Sequence, residues 1–212
     1  MQAVNIEARQ WLAGQWLNGA ALAPLEELNA QCLQLVGDMA QAGRGSLLQQ
    51  TLGRQIAGLS REARADLASA PYLLVDAGFD NPLRWQGLAR WRVEDLPRET
   101  EAQGFCGADA PAFVRGVLVY GWHLARAHGQ LARVVLGMTP SCARSIGELR
   151  LTDLDWACEH RSGWVRLRWE TRPHHWSQLL AAARANDRAA VRRASLRGIQ
   201  MLGALALERK GG

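Results

Sequence analysis

Apolar side chains recur at intervals of three and four along most of the chain, the spacing of one face of an α-helix. Over 24–41 the series is Leu25, Leu28, Cys32, Leu35, Val36 and Met39, with Pro24 at its start. The same reading predicts a shorter helix over 6–18, with Ile6, Trp11, Leu12, Trp16 and Leu17, closed by Asn18-Gly19. It predicts another over 46–59, with Leu47, Leu48, Leu52 and Ile56 inward, and one from Ser60, a natural N-cap, to about Ser69. Residues 71–79, PYLLVDAGF, form an apolar run that stops at the turn signal Asp80-Asn81-Pro82. Asp76 is its one acidic residue, either held in an apolar setting or facing water from a turn.

Past the breaker-rich, acidic stretch 93–110 the pattern changes character. A helix over 111–128 is apolar almost all round, with Phe113, Val114, Val117, Leu118, Val119, Tyr120, Trp122 and Leu124. Such a helix needs cover on every side, and in a small domain a second subunit supplies it; Phe113, Val117, Tyr120 and Leu124 are therefore the expected dimer interface. Residues 164–170, WVRLRWE, alternate like a strand. One face carries Val165, Leu167 and Trp169, the other Trp164, Arg166, Arg168 and Glu170, and a symmetry mate is the expected pairing partner. Helix resumes over 174–185, breaks at Asn186-Asp187 and runs again to about Glu208. The expected fold class is all-α, a helical-bundle N-terminal half plus a helix-turn-helix-like C-terminal half with one short strand. The expected domains are residues 1–100, of unknown role, and 111–212, which is basic.

The richest local signal lies between, over 131–160. Ala132, Leu136, Met138, Ala143 and Ile146 are spaced as the inward positions of a helix-turn-helix unit, with Gly137 at the turn. Thr139 is the expected N-cap of the second helix, with Pro140 at its first position. Thr152 is the expected cap of the next, with Asp155 completing a capping box. The unit suits either a packing corner or a DNA reader; in the second case Ser141, Arg144 and Ser145 would approach base edges.

Charge sharpens the contrast between halves. The net charge is +5, but residues 1–110 hold 9 Arg against 13 Asp and Glu, while 111–212 hold 16 Lys and Arg against 7 Asp and Glu. An excess of positive charge in one half points to an acidic partner, nucleic acid above all. Its densest part is Arg184, Arg188 and Arg192 at four-residue spacing, joined by Arg193 and Arg197. Five such cations suit a phosphate backbone or a solvated helix face. Trp85 and Trp91, interleaved with Arg84, Arg90 and Arg92, fit a base-stacking patch or ordinary packing.

Other classes find little support. No apolar run of about 18 residues spans a membrane, and no secretory signal opens the chain, so a cytoplasmic location is expected. Cys32, Cys106, Cys142 and Cys158 include no CxxC, and a zinc site from Cys158, His160 and a third Cys lacks paired ligands; no metal or other cofactor is expected. GxxxxGK[ST], GxSxG and HExxH motifs are missing, His123 and His128 have no carboxylate in sequence position to orient them, and the one cluster of acid–base residues, His174-His175 beside Trp176, sits where a helix starts, so no enzyme is expected.

From about 113 to 205 the order of features resembles the FlhD subunits of the bacterial flagellar master transcriptional regulator. The resemblance rests on the long apolar helix, LGM at 136–138, Ala143, IGELRLTDL over 146–154, the strand at 164–169 and LRGIQML over 196–202. It implies an all-helical homodimer that joins a zinc-binding FlhC-like partner subunit to bind promoter DNA and recruit RNA polymerase as an activator. It further implies that the region around Arg188 faces DNA or that partner. In that family a strand cysteine can link two subunits; Val165 stands there in this chain, so no covalent dimer is implied. The first hundred residues have no counterpart in the family pattern. The function expected is a dimeric, DNA-associated transcriptional regulator, and the alternative is a protein-interaction adaptor that never touches DNA.

Overall fold

The structure, a computed structural model, describes residues 19–90 and 104–208. The expected helix over 6–18, Trp91, Arg92 and the acidic residues 93–103 lie outside the described residues. The chain is mostly helical, as expected of an all-α protein. The described helices are α1 (Gly19–Gln41), α2 (Leu47–Ala57), α3 (Arg61–Ala68), α4 (Pro82–Arg90), α5 (Ala110–Ala127), α6 (Gly129–Leu136), α7 (Pro140–Gly147), α8 (Leu151–His160), α9 (Pro173–Arg184) and α10 (Arg188–Glu208). Strands β1 (Val75–Asp76) and β2 (Arg166–Leu167) and a 3₁₀ turn at Ser162–Trp164 complete the set.

Local chemistry explains most boundaries. Ser46 caps α2 in a reciprocal box: its hydroxyl accepts the Gln49 N–H at 3.2 Å, and the Gln49 side chain accepts the Ser46 N–H at 2.9 Å. Ser60 accepts the Ala63 N–H at the start of α3. Two starts differ from expectation. Helix α1 begins at Gly19 and runs through Pro24, which removes a single hydrogen bond from the first turns. Helix α8 begins at Leu151, ahead of Thr152, because Asp153 accepts the Arg150 N–H at 2.9 Å and also holds the Arg150 guanidinium. Asp155 pairs with Arg115 at 2.9 Å instead of closing a capping box.

Residues 70–79 run without helix and are mostly buried, and Asn29 of α1 fixes them. Its side-chain nitrogen reaches the carbonyls of Ala68, Ala70 and Tyr72 at 3.0–3.3 Å, and its oxygen accepts the Leu74 N–H at 2.8 Å. The segment ends in β1, which pairs antiparallel with β2, Val75 opposite Leu167 and Asp76 opposite Arg166. The strand's partner thus comes from the same chain, which corrects the expectation of a symmetry mate. The strand is also shorter than 164–170. Trp164 belongs to the 3₁₀ turn, and Trp169 adopts a left-handed φ of 58° that ends the pairing.

Helix α1 packs on α2 and α3, and α5 packs on α1, α6, α7 and α8. Helices α9 and α10 pack on each other and return to α3, with α9 also on α2 and α10 on α6. One hydrophobic cluster therefore holds side chains from both sides of 91–110. Within it α5 is two-faced. Phe113, Val114, Val117, Leu118, Tyr120 and Leu124 are buried, while Ala112, Arg115, His123 and Arg126 are exposed. The expected dimer interface is corrected accordingly: Phe113, Val117, Tyr120 and Leu124 are covered by the chain's own helices and offer nothing to a second copy. No helix among the described residues is long and apolar enough to cross a membrane.

Candidate nucleic-acid interface

Helices α9 and α10 meet at a sharp break. Asn186 has a left-handed φ of 52°, a conformation asparagine tolerates, and Asp187 accepts the Ala190 N–H at 2.8 Å to start α10. Trp176, Leu179, Leu180 and Ala183 of α9, and Val191, Ala194, Ser195 and Leu202 of α10, point inward and are buried. Helical periodicity then turns the intervening positions outward, and Arg184, Arg188, Arg192, Arg193 and Arg197 are all exposed. Gly198 lets α10 approach closely, since a Cβ there would meet the Tyr72 ring at 2.5 Å.

Their partners are weakly held. Arg188 pairs with Asp66 of α3 at 3.1 Å, Arg193 with Asp187 at 3.7 Å, and Arg197 donates to the Gln178 side chain at 3.2 Å. Arg184 and Arg192 form no ion pair among the described residues. Exposed pairs of this kind contribute about 0–1 kcal/mol, little enough for a phosphate to displace them.

The α6–α7–α8 unit has the expected inner face, with Ala132, Leu136, Met138, Ala143 and Ile146 buried. Gly137 turns with φ 70°, and Thr139 caps α7 by accepting the Cys142 N–H at 3.2 Å. Its outer face is narrower than expected, because α7 packs against α4 as well as α5 and α6. Arg144 is exposed and Ser141 is half-buried, its hydroxyl 3.0 Å from that of Thr139. Ser145 is 9% exposed, which corrects its assignment to base contact.

The expected aromatic patch is also corrected at Trp85. Its side chain is buried, stacked on Phe79 and edge-on to Trp164, with its indole N–H donated to the Gly78 carbonyl at 2.8 Å. No base can reach it. Among the described residues no three His, Cys, Asp or Glu side chains gather as metal ligands, and His160 sits exposed against Trp156.

Beneath the arginine face lies a buried polar seam that the alternating pattern concealed. Arg168, expected on the face opposite Val165, Leu167 and Trp169, is buried as they are; its Nε donates to the Leu73 carbonyl and its Nη2 to those of Val75 and Leu136, at 2.8–3.1 Å. Asp76 stands 3.8 Å away, half-exposed, and accepts the Phe79 N–H. Burial pulls Arg168 below the usual arginine range, and the Asp76 carboxylate opposes that pull. His175, at the start of α9, lies 3.2 Å from the Tyr72 hydroxyl and edge-on to Trp169. Burial, followed by the charge of Arg197, lowers its pKa to about 4. The one signal for this seam was an arginine wedged between Leu167 and Trp169, which carries no information on which side the chain turns.

No family model matches the chain, and no curated protein or solved structure matches it.

Proposed function

We propose that this chain is a DNA-associated transcriptional regulator that engages the phosphate backbone through the arginine face of α9 and α10. The observation that carries the reading is the exposure of five arginines across one helix junction, two of them without an ion-pair partner among the described residues. Guanidiniums there would position the protein on a duplex without reading its sequence. Base discrimination falls to Arg144 and Ser141 at the start of α7, in a unit that reads as helix-turn-helix-like. The resemblance to FlhD subunits supports the same class and adds a homodimer, a FlhC-like partner subunit and RNA polymerase as proposed partners. Dimerisation would then use surfaces other than the buried face of α5.

Fluorescence anisotropy against random and promoter-derived duplexes at several salt concentrations tests this. Each neutralised phosphate contributes a slope of about −0.9 in log affinity against log salt, so five arginines give at most about −4.5. Arg192→Gln should weaken binding to every sequence alike and reduce the slope by about 1. Arg144→Gln should flatten the preference for promoter DNA. A protein adaptor is the second reading, favoured by the cover that α4 gives α7 and by the exposed side chains of Leu83, Leu151 and Leu196. Absence of salt-dependent DNA binding, with a protein partner recovered, would replace the first reading by the second.

A further inference from the structure

A cavity of about 360 Å³ opens over the β1–β2 pair, and no residue of α10 lines it. Two stretches distant in sequence wall it: Asp76, Gly78, Asp80 and Arg84 on one side, Trp164 and residues 166–172 on the other. Each wall holds a backbone in the left-handed region, at Gly78 and at Trp169. For a tryptophan that conformation costs energy and persists only where the surroundings enforce it, which is characteristic of ligand sites.

Formal charge in the lining is nearly balanced, four guanidiniums against three carboxylates, so the partners decide what the cavity attracts. The carboxylates are engaged. Asp76 faces Arg168 and accepts the Phe79 N–H. Glu170 accepts the Gln49 amide at 3.0 Å; its burial pushes the carboxyl up, and that hydrogen bond and the charge of Arg166 oppose the shift. Asp80 also has a partner. Among the guanidiniums, Arg168 is saturated by three carbonyls and Arg84 lies 4.8 Å over the Trp164 ring. Arg166 commits its Nε to the Gly163 carbonyl and Arg172 is exposed; neither forms an ion pair among the described residues. Helix α9 starts directly after Arg172, so the positive end of its dipole adds to the same sign.

We propose that this cavity binds a small organic anion, its carboxylate or phosphate group held by Arg166 and Arg172 and its body lying over Leu167. The volume sits at the low end of ligand pockets, which suits a metabolite rather than a dinucleotide. Such a ligand would touch both walls and fasten β1 and the loop after it to the segment that leads into α9. The assignment does not depend on DNA binding.

Isothermal titration of the full chain with citrate and with glycerol 3-phosphate, ionic strength held constant with sodium chloride, tests it. Saturable one-site binding of at least one of the two is expected, and the one that binds tells carboxylate from phosphate recognition. Arg166→Gln and Arg172→Gln should each weaken that binding about tenfold or more, the loss of one charged hydrogen bond. Arg172 is exposed, so its variant retains the fold, which circular dichroism verifies. Arg192→Gln, outside the cavity lining, should bind as the parent does. The proposal is overturned if neither anion saturates one site at millimolar concentration, if both cavity variants bind like the parent, or if Arg192→Gln abolishes the binding.

Discussion

Arg168 and Arg192 are the same residue under opposite conditions. Arg168 is buried in the β1–β2 seam, its guanidinium donating to three carbonyls, whereas Arg192 stands exposed on α10 with no ion-pair partner among the described residues. In the seam, desolvation sets the energy scale: a guanidinium there is tolerated because the carbonyls of Leu73, Val75 and Leu136 accept from it. On the helix face water screens every pair, so the charge adds little stability and remains available to a partner. Stability and binding are thereby assigned to different arginines of one chain.

Removing the seam arginine should therefore have the largest effect. Arg168→Met leaves three carbonyls without their donor and Asp76 without its counter-charge, and a loss of about 3–5 kcal/mol in urea unfolding is expected. Arg192→Gln measured alongside should stay within about 0.5 kcal/mol of the parent. Comparable losses in the two variants would erase the distinction. Asn29→Ala comes next, because Asn29 serves the carbonyls of Ala68, Ala70 and Tyr72 and the N–H of Leu74, tying the end of α3 and the segment after it to α1. A loss of about 2–4 kcal/mol should follow from these buried groups left unpaired.

His175 joins the two regions, touching Tyr72 and Trp169 in the seam and feeling the charge of Arg197 on the outer face. Its pKa falls from an ordinary 6.5 to about 4 on folding. Between these values the unfolded chain binds a proton that the folded chain refuses, so stability is full above about 6.5 and declines as pH falls towards 4. Urea midpoints measured across that window should slope for the parent and be flatter for His175→Gln. An equal slope in both would place the titrating group elsewhere.

The sequence made the helices legible because helical spacing and caps are local: Ser60, Thr139 and the outward arginines of α10 all behave as their positions predict. What it concealed depended on contacts far along the chain. The apolar run 71–79 reads the same whether it pairs with a second molecule or with β2, about ninety residues on, and only the fold decides. The nearly all-apolar pattern of α5 suggested a missing subunit; the cover came from α1, α6, α7 and α8 instead. The cavity was invisible for the same reason, since its walls are contributed by residues 76–84 and 164–172. Alternation failed at Arg168 because its guanidinium turns inward to the Leu73, Val75 and Leu136 carbonyls, so both faces of the segment are covered.

The smallest expected effect tests the exposed side of the comparison most finely. Among the described residues, Asp66 of α3 is the one carboxylate of the acidic half paired with the arginine face, 3.1 Å from Arg188. Since Arg188 is itself largely exposed, Asp66→Asn should cost at most about 1 kcal/mol of stability. Its effect on DNA should have the opposite sign, because removing the carboxylate frees Arg188 and deletes a negative charge that repels phosphate. Affinity at low salt should rise severalfold, and the salt slope should steepen by up to about 1 if Arg188 then neutralises a phosphate. Unchanged affinity and slope would mean that Arg188 lies outside the contact and that the interface is confined to the arginines further along α10. A fall in affinity would mean that the pair itself orients α10, linking the acidic half to binding rather than masking it.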